Sequence, residues 1–94
     1  MNCDAMSEQA QPVNVFEFLT VVLEQTASIA WQKMGLQPDF ATGQINKDLD
    51  QCKAAIDATA ALAQIVENQL DETDKRQMQN LVRDLRINFV EHSK

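Results

Sequence analysis

Between positions 48 and 70, Leu49, Cys52, Ile56, Thr59, Ala63, Val66 and Leu70 follow one another alternately three and four residues apart. That alternation keeps one face of an α-helix turned toward a partner helix along its length. Ala55, Leu62 and Ile65 flank the seam, while Thr59 and the alanines thin its middle. A second helix can therefore approach closely there. Asp48 followed by Gln51 supplies a capping box at the start. A chain built around such a segment is committed to helix-on-helix packing.

The partner nearest in sequence is "NVFEFLTVVLEQTASIAWQKM", residues 14–34. Asn14 caps it, with Glu17 reaching back and Val13 positioned to staple onto Phe18. Gly35 stands where a left-handed residue closes a helix, and Pro38 follows. A helix of this length spans about 30 Å, enough to cross a bilayer. Glu17, Glu24, Gln25, Gln32 and Lys33 argue against that, because spanning segments carry few or no charges.

A third helix begins after Asp71, whose carboxylate caps toward Asp74, with Glu72 at the positive helix end. Met78, Leu81, Val82, Leu85 and Phe89 form its buried face. The connection from Leu70 to Glu72 is short, so the second and third helices form an antiparallel hairpin. The first connection, "GLQPDFATG" at 35–43, reads as a helix–helix corner. Gly35 ends a helix, Pro38 fixes an extended step, Asp39 bonds nearby backbone N–H groups, and Gly43 takes a positive φ. Leu36, Phe40 and Ile45 are expected to tuck this corner against the bundle, leaving Asp39 and Thr42 exposed. The expected fold is all-α: a long apolar first helix packed on an antiparallel hairpin. One domain occupies residues 13–92, after a flexible polar arm at 1–12.

Several chemistries find no support. The net charge is −6, and the bases Lys75, Arg76, Arg83 and Arg86 are interleaved with Asp74 and Asp84. Phosphates and anionic membranes need clustered bases, so neither nucleic acid nor a membrane surface is an expected partner. With His92 as the sole histidine and no CxxC pair, no metal or cofactor is expected. A calcium loop starting at Asp39 would find Ala41 and Gly43 where oxygen ligands are needed. The corner also lacks the Gly-Lys-Ser/Thr ending of a phosphate loop, and no strand precedes it. Cys52 lies on the apolar seam, where a thiol is an inert small hydrophobe. No catalytic residue is assigned; only convergence of Asp57, Asp84, Arg83 and Arg86 in one cleft would make an enzyme. The start "MNCDAMSEQAQP" has neither a basic nor an apolar targeting region, and two scattered cysteines fit a reducing compartment, so a cytoplasmic protein is expected.

The first helix carries more apolar surface than one neighbour covers. Val15, Phe18, Val22 and Ile29 make one stripe; Phe16, Leu19, Leu23, Ala30 and Met34 make another, widened by Trp31. A helix apolar around more than half its circumference is buried on more than one side. Self-association is the favoured account, giving a homodimer whose interface is Phe16, Leu19, Leu23, Trp31 and Met34. A groove for a foreign helix and a pocket for a small apolar ligand, between the first helix and the hairpin, are the alternatives.

The order of these signals resembles one small bacterial family, the domain of unknown function numbered 1844. The likeness covers residues 13–92 and is carried by Gly35, Leu36, Pro38, Asp39, Thr42 and Gly43 in the corner, "AAID" in the second helix, and Leu85, Arg86, Phe89 and Val90 in the third. The chain departs from the pattern at Phe40, where a second proline is usual, and at Trp31, Lys33 and Asn88. The resemblance implies a short helical bacterial protein and supplies no activity. The function expected from the residues themselves is a non-catalytic interaction or adaptor module.

Overall fold

The computed structural model describes residues 11–93, which form three α-helices and no strand. Helix α1 is Val15–Lys33, α2 is Leu49–Val66, and α3 is Glu72–His92, with a single 3-10 turn at Glu67–Gln69. The expected arm at 1–12 lies, up to residue 10, outside the described residues, as does Cys3.

Each helix starts on the cap its sequence provides. Asn14 Oδ1 accepts from Glu17 N at 3.2 Å, Asp48 Oδ1 from Gln51 N at 3.0 Å, and Asp71 Oδ1 from Asp74 N at 2.8 Å. Each bond satisfies one backbone donor that the first turn leaves unpaired. The Val13–Phe18 staple buries neither residue, as both remain exposed. The α-helix of α2 also ends four residues before Leu70. The 3-10 turn tightens its end, so that Leu70 N bonds Glu67 O at 3.1 Å before the chain reverses into α3.

The chain runs up, down and up, so that each helix is antiparallel to the one before it. The core forms two contiguous clusters along the shared seam. In one, Ala27 and Ala30 of α1 and the capping Met34 meet Cys52 and Ile56 of α2 and Leu85 of α3. In the other, Leu23 meets Ala63, Val66, Met78 and Val82. Of the seven seam positions, the middle five are buried, while Leu49 at the start of α2 and Leu70 beyond its end are half-buried.

The small residues at the middle bring α1 and α2 close enough for hydroxyls to touch. Thr26 Oγ1 lies 2.7 Å from Thr59 Oγ1, and Thr59 is fully buried. Each hydroxyl also lies near a carbonyl of its own helix: Leu23 O at 2.9 Å from Thr26 and Ala55 O at 2.8 Å from Thr59. Two protons serve three contacts, so the pair behaves as one network. Further along, the Cys52 thiol donates to Ala30 O at 3.3 Å, and Asp48 N donates to Lys33 O at 2.8 Å. No buried side-chain nitrogen or oxygen among the described residues lacks a partner.

The corner after α1 is built as a unit. Gly35 at φ +91° lets Leu36 N reach Trp31 O at 3.2 Å and Gly35 N reach Gln32 O at 3.0 Å, the paired bonds of a Schellman ending. Asp39 then organises the turn: Oδ1 accepts from Ala41 N at 2.8 Å and Thr42 N at 3.2 Å, and its carbonyl accepts from Gly43 N at 2.7 Å. Gly43 follows at φ +72°. The Asp39 side chain is only 14% exposed and faces Lys33 Nζ at 3.5 Å, so the expectation of an open Asp39 is corrected: its acceptors are taken up inside the chain. A second correction concerns Leu36, Phe40 and Ile45, which do not tuck inward but stay exposed. The turn closes through backbone and Asp39 bonds and needs no apolar anchor.

The Thr26–Thr59 bond gives a first prediction. Thr26→Val and Thr59→Val each lower stability in urea by about 1 kcal/mol, and the double variant loses clearly less than the sum. Strictly additive losses would contradict a shared bond. The corner gives a second. The Ala41 N–H chiefly holds the Asp39 carboxyl below its ordinary 3.8; partial burial opposes this, while the Thr42 N–H and the Lys33 ammonium add to it. A lowered native pKa contributes stability that is present above 3.8 and lost as pH falls through the native value. The stability gap between the natural protein and Asp39→Asn is therefore constant near neutrality and shrinks in acid, as urea titrations from pH 6 to 3 will show.

Candidate functional site

Helix α1 presents two apolar faces, and the hairpin covers only one. Leu23, Ala27, Ala30 and Met34 point into the core, with Leu19 and Trp31 half-buried at its margins. Roughly a third of a turn around the helix lie Val15, Phe18, Val22, Gln25, Ile29 and Gln32, spaced three, four, three, four and three apart. Val15 is 60% and Phe18 59% exposed; Val22 and Ile29 are half-buried. Val21, also exposed, widens this second face. None of the six is charged, but Glu17 and Glu24 stand one turn either side of Val21, along the edge of this face.

The expected interface is thus partly corrected. Leu23 and Met34, each 1% exposed, are core residues of the chain itself and offer nothing to another molecule. Leu19 and Trp31 are half covered by the hairpin, and Phe16 stays 39% exposed near the α2–α3 corner, beside Val66 and Leu70. Both stripes were legible in the sequence; the one through Leu23 and Met34, expected to meet a second copy, faces the chain's own hairpin. The stripe through Leu19, Leu23, Ala27, Ala30 and Met34 runs without a polar break, whereas Gln25 and Gln32 interrupt the other. That interruption is the available signal: a monomer's core takes the unbroken stripe.

At its C-terminal end the outer stripe meets the corner. Gln32 is buried, donates from Nε2 to Ser28 Oγ at 3.3 Å and accepts on Oε1 from Phe40 N at 3.0 Å. This pins the backbone of Phe40 beside the stripe while its ring stands 79% exposed. Gln25, Ser28, Ile29, Gln32 and Phe40 enclose a shallow cleft of about 270 Å³. Sequence reasoning missed Phe40 because only the Gln32 bond, formed eight residues away, decides where it points.

Elsewhere among the described residues, the chemically active side chains lie apart from one another. The Cys52 thiol is fully buried, and burial pushes its pKa up, so it stays protonated. Asp57 pairs with Lys53 at 2.9 Å, and Asp84 with the adjoining Arg83 at 3.8 Å, both in solvent. Arg83 and Arg86 line one open groove and Asp57 and Arg86 another, so the four do not converge. His92 Nδ1 donates to Asn88 O at 2.8 Å in the last turn of α3. No trio of His, Cys, Asp or Glu among the described residues is placed to hold a metal. Nor, among them, is any helix long and apolar enough to cross a membrane. A cleft of about 360 Å³ does open between α1 and α3, floored by Leu23, Leu70, Met78 and Leu81. Glu24 and Asp74 stand at its sides, so it is a wide trough with acidic edges.

The family model described as a domain of unknown function (DUF1844) matches residues 15–91. The chain belongs to this family. The match opens on the first residue of α1 and closes one residue before the end of α3, so it covers the whole bundle. Within the corner, Gly35, Asp39 and Gly43 have a structural role in this chain: they close the turn between α1 and α2. No curated protein and no solved structure matches the chain.

Proposed function

We propose that this protein is a non-catalytic helical interaction module that works as a homodimer, joined through the outer stripe of α1. The observation that carries the reading is that Val15, Phe18, Val22 and Ile29 form a continuous uncharged face on a helix whose other apolar face is already filled. Exposed apolar residues gathered on one helix face favour association of a folded protein. The net charge of −6 repels copies from one another in general, so the uncharged stripe is where two copies can meet without opposing charges. A bacterial cytoplasmic setting fits the residue content, with no role in nucleic-acid binding. The rival reading, a pocket for a small apolar ligand between α1 and the hairpin, has less behind it. The trough at that place is open and edged by carboxylates, whereas ligand sites bury most of an apolar ligand.

Light scattering on a sizing column, over a tenfold range of concentration, tests the proposal. The natural protein should approach twice the 10.6 kDa of one chain. The Val15→Glu, Phe18→Glu double variant should elute as a single chain with unchanged helical circular dichroism, since both positions are exposed and acids suit a helix N-terminus. A natural protein that stays monomeric throughout, or a variant that still dimerises, would overturn it.

A further inference from the structure

The three helices are unequally packed. Helix α1 lies closely along α2 but touches α3 at few places, and the trough of about 360 Å³ is the gap this leaves. The trough does not stop at Leu70. A second cleft, of about 230 Å³, shares Thr20 and Leu70 with it and carries the groove on past Phe16. Along α1 the groove runs from Phe16 to Glu24, about 12 Å or slightly more than two helical turns. The outer stripe lies on a different side of the same helix, so the two surfaces are separate.

Floor and rim differ in chemistry. Half-buried Leu70 and Leu81, with Phe16 at 39% exposure, supply apolar surface inside. The rim carries Glu17 and Glu24 on α1 and Asp74 on α3, and no lysine, arginine or histidine lines either cleft. Among the described residues none of these three carboxylates forms an ion pair, so their charge is open to a partner. Glu17 and Glu24 stand seven residues apart, the interval at which a heptad helix repeats its flanking charges. An apolar floor between two helices fits the apolar face of a third. One sign of charge on both banks decides which kind of helix that is.

We infer that the groove between α1 and α3 docks a helix of another protein, one whose apolar seam is flanked by lysine or arginine. Its apolar side chains cover Leu70, Leu81 and Phe16. Its bases meet Glu17 and Glu24 on one bank and Asp74 on the other. So placed, it completes a four-helix arrangement. A second copy of this chain suits the groove poorly, because it carries the same −6 charge and the exposed apolar face of its α1 is edged by acids. Acidic helices are turned away by the same carboxylates. The inference is independent of the dimer proposed above.

The probe is a fluorescein-labelled peptide of about three heptads, with a leucine seam flanked by lysines, beside a twin with glutamates in their place. Fluorescence anisotropy should show the lysine peptide binding and its twin not. Glu24→Gln with Asp74→Asn should weaken binding about fivefold. Asp50→Asn with Asp57→Asn, which removes the same charge from exposed positions on α2, should weaken it by less than about twofold. Amide shifts on adding the peptide should gather at Thr20, Leu70, Gln77 and Leu81. Failure of the lysine peptide to bind, equal binding of the two peptides, equal effects of the two variant pairs, or shifts gathered on Val15, Phe18, Val22 and Ile29 would each overturn the inference. The mass of the protein alone in solution bears only on the dimer, so the two proposals fail separately.

Discussion

The close contact of α1 with α2 is the constraint from which the rest follows. Ala27 and Ala30 on one side and Thr59 and Ala63 on the other let the two helices come near enough for Thr26 and Thr59 to bond. Larger side chains there would hold the helices apart, and the Thr59 hydroxyl would be buried with only its own helix to satisfy it. The Cys52 thiol on Ala30 O and the Asp48 amide on Lys33 O extend the same line of polar ties toward the corner. With α1 so placed, Leu85, Val82 and Met78 of α3 close the remaining side of the seam. The azimuth of α1 is then fixed, and with it the stripe that is left outside.

The corner carries that consequence to the surface. Gly35 and Gly43 supply backbone conformations that other residues adopt only under strain, and Asp39 ties the turn between them. Buried Gln32 accepts from Phe40 N and so stations an exposed ring beside the outer stripe. An ordinary turn thereby supplies one wall of the cleft. The stretch from Gly35 to Gly43 is a helix ending, a turn and one wall of the cleft beside the outer stripe.

Much of the fold was legible in the sequence because its determinants are local. The three caps, the glycine ending of α1, the seam on α2 and the buried face of α3 all follow from spacing and residue type. What was not legible depends on the third dimension. Two apolar stripes on one helix compete for the same hairpin, and spacing alone does not rank them. The polar breaks at Gln25 and Gln32 were the clue, and Leu23 and Met34 were misplaced for want of it. Likewise Phe40, with Leu36 and Ile45, read as an inward anchor because it is apolar. The Asp39 turn closes without it, and Gln32 holds it outward. The family match adds no function to this reading, since the family itself is described only by its unknown role.

One face of α1 is filled inside the chain, and the central proposal is that the adjoining face meets a second copy. Backbone amide spectra recorded while the protein is diluted test it residue by residue. The account predicts concentration-dependent shifts at Val15, Phe18, Val22, Ile29 and Phe40, with little change at Ala63, Met78 and Leu85. Shifts confined to the α2–α3 face, or none at all over a range where the mass changes, would contradict it.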